Sequence, residues 1–265
     1  MRKLRSGKLV AAFAVLLVVS FAVMNAMPSD TLLAALLQEA VLALVALVAV
    51  GLAVPDALKR CTQTVQQRSI VRFTAITLLL VGLVGGAITL LAWLFAGGGN
   101  MAGFASTALP STADLMENLL LLLGICLLTG LYEESFMRVL GIEAFERALD
   151  TKRAILASAA LFALLHVGAP DVSAGQLVLL QTALKFGQAL LFGVILGALY
   201  VRTRRLWRCV LIHAGFDVLY MAPNVLLTGT MPETYASGAV GDTVLLAVSV
   251  LMLSGIVLKI RKEIA

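Results

Sequence analysis

The most informative property of this 265-residue sequence is how little charge it carries. Only 13% of the residues are charged, whereas a typical soluble domain has about a quarter. Hydrophobic residues make up 61% of the chain, and the mean hydropathy is +1.01. This composition excludes an ordinary soluble domain and predicts an integral membrane protein.

The sequence also lacks features that would divide it or give it other chemistry. It contains no charge-rich or Pro/Ser-rich tract and no repeat of fixed period. The three cysteines form no CxxC pair. No GxSx arrangement is matched with a histidine in a membrane segment, so rhomboid-like serine chemistry is not expected. We therefore predict a single polytopic membrane domain over residues 1–265.

Apolar segments long enough to cross about 30 Å of hydrocarbon recur along the chain. The first follows a basic start and resembles a signal peptide, but its apolar stretch of about 19 residues is long and lacks a small-x-small cleavage site. We predict that this helix is retained. The result is an all-α bundle of about eight transmembrane helices, at residues 9–28, 32–54, 73–96, 115–139, 154–168, 176–200, 207–227 and 243–260.

The basic residues lie on one side of this predicted bundle. Of the 20 Lys and Arg residues, 19 fall in the tails and in alternate loops, with Arg138 counted in the loop after the fourth helix. The positive-inside rule then predicts cytoplasmic termini and a multi-pass protein of the cell membrane. The net charge of +5 reflects this topology and contact with the lipid bilayer, and no nucleic-acid partner is expected.

Ionisable residues within three predicted helices are the candidates for function. A charged side chain near the bilayer centre costs about 2.5–3.5 kcal/mol on insertion scales, so such residues usually have a task. The three stretches are EESFMR at 133–138, FALLH at 162–166 and HAGFD at 213–217, and they include both histidines of the chain.

Helical spacing separates the two adjacent glutamates. Consecutive Glu133 and Glu134 point about 100° apart on a helix. Glu134 is predicted to pair with Arg138, which leaves Glu133 free to face a cavity. Three pairs are spaced i, i+4 and share a helix face: Glu134 with Arg138, Phe162 with His166, and His213 with Asp217.

Two other interpretations of these residues remain open. Histidines and carboxylates are ordinary zinc ligands, so Glu133, His166, His213 and Asp217 are also candidate ligands of a catalytic metal. Alternatively, the polar residues only hold helices together through interhelical hydrogen bonds.

Lys185 is the only Lys or Arg predicted away from the basic side of the bundle. Glu39 is predicted at a similar depth, about 12–14 Å from the outer side. We expect a structural contact between the two, with Glu117 as the alternative partner. Gln181 and Gln188 share the face of Lys185, which gives weak support to a transporter.

The motifs EExxxR, FxxxH and HxxxN/D, in this order on separate membrane helices, resemble those of the CPBP intramembrane proteases. That family includes the type II CAAX prenyl proteases and the bacteriocin-processing and immunity proteins called Abi. The resemblance covers residues 115–228, which it marks as a catalytic core. One departure is Asp217, where CAAX-processing members usually carry Asn.

The resemblance implies an endopeptidase that uses a glutamate-activated water, without a cofactor, on a membrane-associated peptide or protein. Glu133 would be the general base, with His166 positioning or polarising the water. His213 and Asp217 would contact the oxyanion on the scissile carbonyl. Because an ionised carboxylate cannot donate a hydrogen bond, Asp217 is either protonated or orients His213.

The same resemblance implies supporting roles for Glu134, Arg138 and Phe162. The alternative from another class is a non-catalytic immunity or scaffold protein that binds a membrane peptide in the same cavity. Glu133 and His213 are each predicted about 5–7 residues from the cytoplasmic boundary. We therefore expect the site to open toward the cytoplasm.

Overall fold

A computed structural model gives the architecture of the chain. Its described residues are helical and contain no β-strand. They comprise residues 2–27, 29–59, 68–95, 110–167, 175–232 and 235–264.

The helices follow the predicted apolar segments closely. The α-helices are α1 (Arg2–Ala26), α2 (Leu32–Ala53), α3 (Pro55–Lys59), α4 (Arg68–Phe95), α5 (Thr112–Glu134), α6 (Glu143–Phe145), α7 (Thr151–Val167), α8 (Gln176–Thr203), α9 (Leu206–Thr228) and α10 (Val240–Ile264). A π-helix, Ser135–Ile142, continues α5 and leads directly into α6.

Seven stretches of the described chain are helical, long and apolar enough to cross a membrane. They are Gly7–Ala26, Leu32–Ala53, Arg68–Phe95, Thr112–Phe145, Gln176–Thr203, Leu206–Thr228 and Val240–Ile260. The prediction of an all-helical, multi-pass membrane protein is thus confirmed.

The remaining predicted segment, 154–168, which is the fifth in chain order, corresponds to α7. Its 17 residues rise about 25 Å, which is less than the hydrocarbon thickness of about 30 Å. The eighth crossing therefore stays a prediction. Residues 28, 96 and 168, at the ends of three predicted segments, lie outside the described residues.

The fourth segment extends further than predicted. The sequence suggests an end at residue 139, with Arg138 in a cytoplasmic loop, but the helical stretch continues to Phe145. The reason is that the Arg138 side chain is fully buried and paired, so it does not mark a membrane boundary. Glu133 lies 12 residues before Phe145, so it is further from the end of this helical stretch than the predicted 5–7 residues.

The π-helix Ser135–Ile142 lies inside the bundle. All eight of its residues are buried. Short π-helical stretches are rare and frequently occur at functional sites. The hydroxyl of Ser158 donates a hydrogen bond of 2.7 Å to the carbonyl oxygen of Met137, which ties α7 to the π-helix.

Helix α9 packs between α4 and α5. A Cβ added at Gly130 of α5 would come within 3.1 Å of the Val210 carbonyl oxygen. A Cβ at Gly86 of α4 would clash with the Leu219 carbonyl oxygen. Small residues at such crossings let membrane helices approach closely. The close approach of α5 and α9 brings the first and third motifs together.

Contacts between connecting segments define one end of the bundle, which we call the basic end. Arg204, between α8 and α9, forms an ion pair of 2.7 Å with Glu146, which follows α6. Leu9, Val54 and Arg147 line one cavity at this end. The starts of α1 and α9 and the ends of α2 and α6 therefore lie on the same side.

The opposite end is held by glutamine side chains. Gln38 of α2 donates a hydrogen bond of 2.9 Å to the carbonyl oxygen of Met27. Gln181 of α8 donates to the Ala239 carbonyl oxygen at 2.7 Å and accepts from the Gly238 amide at 2.8 Å. Gln181, predicted as part of a polar face, thus connects α8 to the segment before α10.

Candidate active site

The three sequence motifs meet at one place in the bundle. Helix α5 contributes Glu133 and Glu134, helix α7 contributes His166, and helix α9 contributes His213 and Asp217. The four residues that the resemblance implies as catalytic are therefore neighbours, although they come from three helices.

His213 lies at the centre of this cluster, with carboxylates beside both ring nitrogens. Its Nδ1 is 2.9 Å from Oε1 of Glu134. Its Nε2 is 3.3 Å from Oδ2 of Asp217 and 3.5 Å from Oε2 of Glu133. The ring of Phe192 packs against the imidazole edge-on, with centroids 4.9 Å apart. Glu134 and Phe192 thus orient the imidazole so that Nε2 faces the other two carboxylates.

The hydrogen positions around His213 follow from its partners. Glu134 is paired with Arg138, so its ionised carboxylate only accepts, and Nδ1 of His213 carries a hydrogen. On the other side, Nε2 lies close to oxygens of both Glu133 and Asp217. Unprotonated lone pairs at these distances would repel, so at least one proton is shared among the three groups.

His166 lies on another side of Glu133. Its Nε2 is 3.8 Å from Oε1 of Glu133, and its Nδ1 is 2.8 Å from the carbonyl oxygen of Phe162. A carbonyl oxygen only accepts, so Nδ1 donates, and in the neutral ring Nε2 is the acceptor. The Phe162 and His166 rings are 4.2 Å apart, which confirms that the two residues share a face.

The two adjacent glutamates have opposite surroundings. Glu134 is fully buried, with Oε2 2.9 Å from Nε of Arg138 and Oε1 3.3 Å from Nη2. This confirms the predicted ion pair. Glu133 is 19% exposed, and within the described part of the chain its Oε2 has no hydrogen-bond partner.

Arg138 is enclosed by further contacts that hold it in place. Its Nη1 is 3.5 Å from Oγ of Ser158, and its Cζ lies 5.0 Å from the centroid of the Phe162 ring. Both the ion pair and the cation–π contact are shielded from solvent. We call Glu134, Arg138, Ser158 and Phe162 the support cluster.

Two cavities adjoin the site. The α1–α7 cavity, about 140 Å³ in volume, is lined by Glu133 and His166 and also by Phe21, Met24 and Leu165, whose side chains are exposed. It therefore reaches the outer surface of the bundle between α1 and α7.

The second cavity, which we call the α8–α9 cavity, has a volume of about 50 Å³. Its polar lining residues are His166, Lys185, Gln188, His213 and Asp217. Phe162 and His166 line both cavities, so these two side chains form a shared wall.

The predicted contact between Glu39 and Lys185 is wrong. Lys185 donates a hydrogen bond of 3.2 Å to Oε1 of Gln188, and Oε2 of Glu39 has no hydrogen-bond partner among the described residues. In the described structure neither Glu39 nor Glu117 forms an ion pair with Lys185. Equal depth does not bring two residues together unless their helices are neighbours, and α2 packs on α1 and α5 whereas α8 packs on α7 and α10.

Comparison with protein-family models identifies the region that holds this site. Residues 115–219 match the type II CAAX prenyl endopeptidase Rce1-like family. The match confirms the resemblance predicted from the three motifs and contains all the residues of the cluster. Comparison with curated proteins gave no match.

An Rce1-like region indicates a protease of the CAAX intramembrane type, acting on a membrane-associated protein in the bilayer. Among the described residues, no group of three or more His, Cys, Asp or Glu is arranged to hold a metal ion. The zinc alternative at Glu133, His166, His213 and Asp217 thus rests on residue types alone and stays a prediction.

Sequence reasoning did not assign three residues of the Rce1-like region to the site, although it singled out Lys185 for a contact elsewhere. Ser158 lies four residues before Phe162 and eight before His166, so its position on that face of α7 was available from the spacing. Lys185 and Phe192 lie on one face of α8 at i and i+7, which is a weaker signal in an apolar helix.

Proposed function

We propose that the protein is an intramembrane endopeptidase in which Glu133 activates water for attack on a peptide carbonyl. The observation that carries the proposal is the contrast between Glu133 and Glu134. A general base must reach both a water and the reacting carbonyl. Glu133 meets this need because it lines a cavity and has an oxygen without a hydrogen-bond partner among the described residues.

The geometry around Glu133 leaves room for the attacking water. The 3.8 Å between Oε1 of Glu133 and Nε2 of His166 is too long for a direct hydrogen bond and fits a bridging water. Glu133 takes a proton from this water as the oxygen attacks the carbonyl carbon. The same carboxyl group then protonates the leaving amine, so the base is restored when the peptide bond breaks.

His213 stabilises the oxyanion in this mechanism. Its Nδ1 is held by Glu134, which directs Nε2 toward the cavities. Asp217, 3.3 Å from Nε2, orients the ring and keeps a proton there. A hydrogen-bond donor aimed at an oxyanion is typically worth about 10²–10³ in rate. This gives Asp217 the orienting role, which is the one of the two predicted alternatives that an ionised, acceptor-only carboxylate permits.

The test is cleavage of a farnesylated peptide with a C-terminal CaaX sequence by the purified protein in detergent. Glu133→Gln keeps the shape of the side chain and removes the proton acceptor. We expect its turnover to fall by about 10²–10⁴ while peptide binding and thermal unfolding remain unchanged. Full activity of Glu133→Gln would overturn the proposal, and binding without cleavage by the unaltered protein would favour the scaffold alternative.

Metal dependence is tested in the same assay by adding a chelator and then restoring zinc. We propose that hydrolysis needs no metal, so turnover should stay within twofold of the untreated protein. Loss of activity with the chelator and recovery with zinc would instead support a metal held by Glu133, His166, His213 and Asp217.

We also propose eight membrane crossings, with the basic end and both termini in the cytoplasm. The shared position of Leu9, Arg147 and Arg204 supports this, since the sequence predicts 18 of the 20 Lys and Arg residues on that side once Arg138 is assigned to the helix. His213 lies about 10 Å from the start of α9, which supports access from the cytoplasmic side.

Thiol labelling of intact cells tests this topology in a variant without Cys61, Cys126 and Cys209. Single cysteines at Ser29 and Ser237 should react with a membrane-impermeant reagent added outside. A cysteine at Thr151 should react only after the membrane is opened. The reverse pattern would contradict the orientation.

A further inference from the structure

The α8–α9 cavity contains a cation that the proposed reaction does not use. Lys185 lines this cavity together with His166, His213 and Asp217. Its ammonium group interacts electrostatically with Asp217 and Glu133. Arg138 of the π-helix is neutralised by Glu134, but no carboxylate of the described residues lies within ion-pair distance of Lys185.

Neighbouring side chains hold Lys185 in position. Its Nζ donates to Oε1 of Gln188 at 3.2 Å, and Nε2 of Gln188 donates to the hydroxyl oxygen of Tyr220 at 2.8 Å. The Tyr235 ring lies 5.6 Å from Nζ, and within the described structure the buried Tyr235 hydroxyl has no hydrogen-bond partner. The ammonium group can donate three hydrogen bonds and uses one of them on these neighbours.

A cation held in low dielectric without a counter-ion is costly, which points to a ligand that brings a negative charge. The substrate class implied by the Rce1-like match has such a charge close to its reacting region. A CaaX sequence ends three residues after the modified cysteine, so the free carboxylate lies within about 10 Å of that cysteine in an extended chain.

The two cavities match the two chemically different parts of such a peptide, the apolar modified side chain and the charged C-terminus. The α1–α7 cavity, of about 140 Å³, opens beside apolar side chains on the outer surface. The α8–α9 cavity is smaller, about 50 Å³, and is lined by the Lys185 ammonium, which forms no ion pair with a described carboxylate. His166 lines both cavities, and Glu133 lines the α1–α7 cavity beside it.

We propose that Lys185 binds the C-terminal carboxylate of the peptide substrate in the α8–α9 cavity, while the apolar modified side chain occupies the α1–α7 cavity. This inference rests on the proposed protease function and adds to it a residue that selects substrates by their free C-terminus. Lys185 would thus fix which peptide bond lies next to Glu133.

The experiment measures binding without turnover, using the Glu133→Gln protein and a fluorescent, farnesylated CaaX peptide. The same peptide is prepared with a C-terminal carboxylate and with a C-terminal amide. A hydrogen-bonded charge pair predicts at least about tenfold tighter binding of the carboxylate form. Adding Lys185→Met should remove this preference and leave the affinity for the amide peptide unchanged.

Two further variants control for charge and for folding. Lys185→Arg keeps the charge and should keep part of the preference, whereas Lys185→Gln removes the charge with a polar side chain and should behave like Lys185→Met. Lys259→Met removes a cation that lies 4.6 Å from the Phe73 ring, away from both cavities, and should leave the preference intact.

Each other outcome is decisive. Equal affinity for the two peptides, or a preference that survives Lys185→Met, overturns the carboxylate site. Turnover is compared separately, with Lys185→Met as the only change: an equal loss of kcat on both peptides, with the carboxylate preference in binding intact, would also overturn the site and show that Lys185 acts through Asp217. If the preference depends on Lys185 but the unaltered protein cleaves neither peptide, the protease function is overturned and the carboxylate site is retained. If neither peptide binds, both the protease function and the carboxylate site are overturned.

Discussion

The two sides of the His213 imidazole differ in how completely their polar groups are paired. On the Nδ1 side, Glu134 and Arg138 are fully buried and bonded to each other. On the Nε2 side, Glu133 and Asp217 are 19% and 16% exposed, and Oε2 of Glu133 lacks a hydrogen bond within the described chain. We call the Nδ1 side, where the polar groups are buried and paired, the closed side, and the Nε2 side the open side. The imidazole ring of His213 connects the two.

Charged groups within a few ångströms of each other thus serve two purposes here, one structural and one catalytic. A buried pair that satisfies itself holds helices in register, and breaking it strands a charge in low dielectric. A reacting carboxylate must exchange partners during turnover, so it needs an unsatisfied oxygen and a cavity. We therefore expect stability to depend on the closed side and activity to depend on the open side.

The largest expected effect on stability is that of Arg138→Met. This change leaves the Glu134 carboxylate without its counter-ion and removes the contacts with Ser158 and Phe162. Breaking one partner of a buried pair costs about 3–5 kcal/mol. The free energy of unfolding in detergent should fall by that amount, measured by thermal or chemical denaturation.

The matched control is Glu133→Gln on the open side of the same helix turn. Replacing a carboxylate that has an unpaired oxygen should leave the unfolding free energy equal or slightly higher, because a desolvation cost is removed. Equal destabilisation by Arg138→Met and Glu133→Gln would contradict the expectation that stability depends on the closed side of His213.

The second prediction measures the coupling between Glu134 and Arg138. Glu134→Gln alone should lower the unfolding free energy, because it leaves a buried guanidinium without a counter-ion. It should also lower turnover, since Nδ1 of His213 loses its charged acceptor. In the double variant Glu134→Gln/Arg138→Met the loss should be smaller than the sum by about 1–3 kcal/mol. Additive losses would show that the two residues act independently.

The sequence could predict contacts within a helix better than contacts between helices. The spacing of Glu134 and Arg138 identified their ion pair, and the spacing of Phe162 and His166 identified their shared face. Which helices become neighbours depends on packing of apolar surfaces that the pattern does not encode. The predicted contact of Glu39 with Lys185 failed for that reason.

The end of the fourth helix was missed for a different physical reason. A charge in an apolar segment usually marks the membrane surface, and Arg138 was assigned to a loop on that basis. Here the charge is neutralised inside the protein, so the helix continues to Phe145 and Glu133 is further from its end. The π-helix at Ser135–Ile142 also has no clear signature in the sequence.

The third prediction addresses the crossing that aligns the two sides. A Cβ at Gly130 would lie 3.1 Å from the Val210 carbonyl oxygen, so Gly130→Ala should push α5 away from α9. The overpacking is expected to cost about 1–3 kcal/mol and to lower activity, because Glu133 and Glu134 both lose their positions beside His213.

Gly255→Ala is the control for the change in residue type. A Cβ at Gly255 meets no atom within 4 Å, so this variant should be neutral or more stable by up to about 1 kcal/mol. If Gly130→Ala were equally harmless, the close approach of α5 and α9 would not be what aligns the site.

The smallest expected effect compares two buried serines that differ only in pairing. Ser158 donates to the Met137 carbonyl oxygen at 2.7 Å and accepts from Arg138, whereas Oγ of Ser135 has no hydrogen-bond partner among the described residues. Ser158→Ala should lower the unfolding free energy by about 1–2 kcal/mol, because it removes the buried hydrogen bond to the Met137 carbonyl oxygen and the acceptor for Arg138. Ser135→Ala removes an unpaired hydroxyl and should be neutral or stabilising. Parallel unfolding measurements decide the matter: if both variants lose the same stability, pairing is not what distinguishes the closed side of His213, and the loss comes from packing alone.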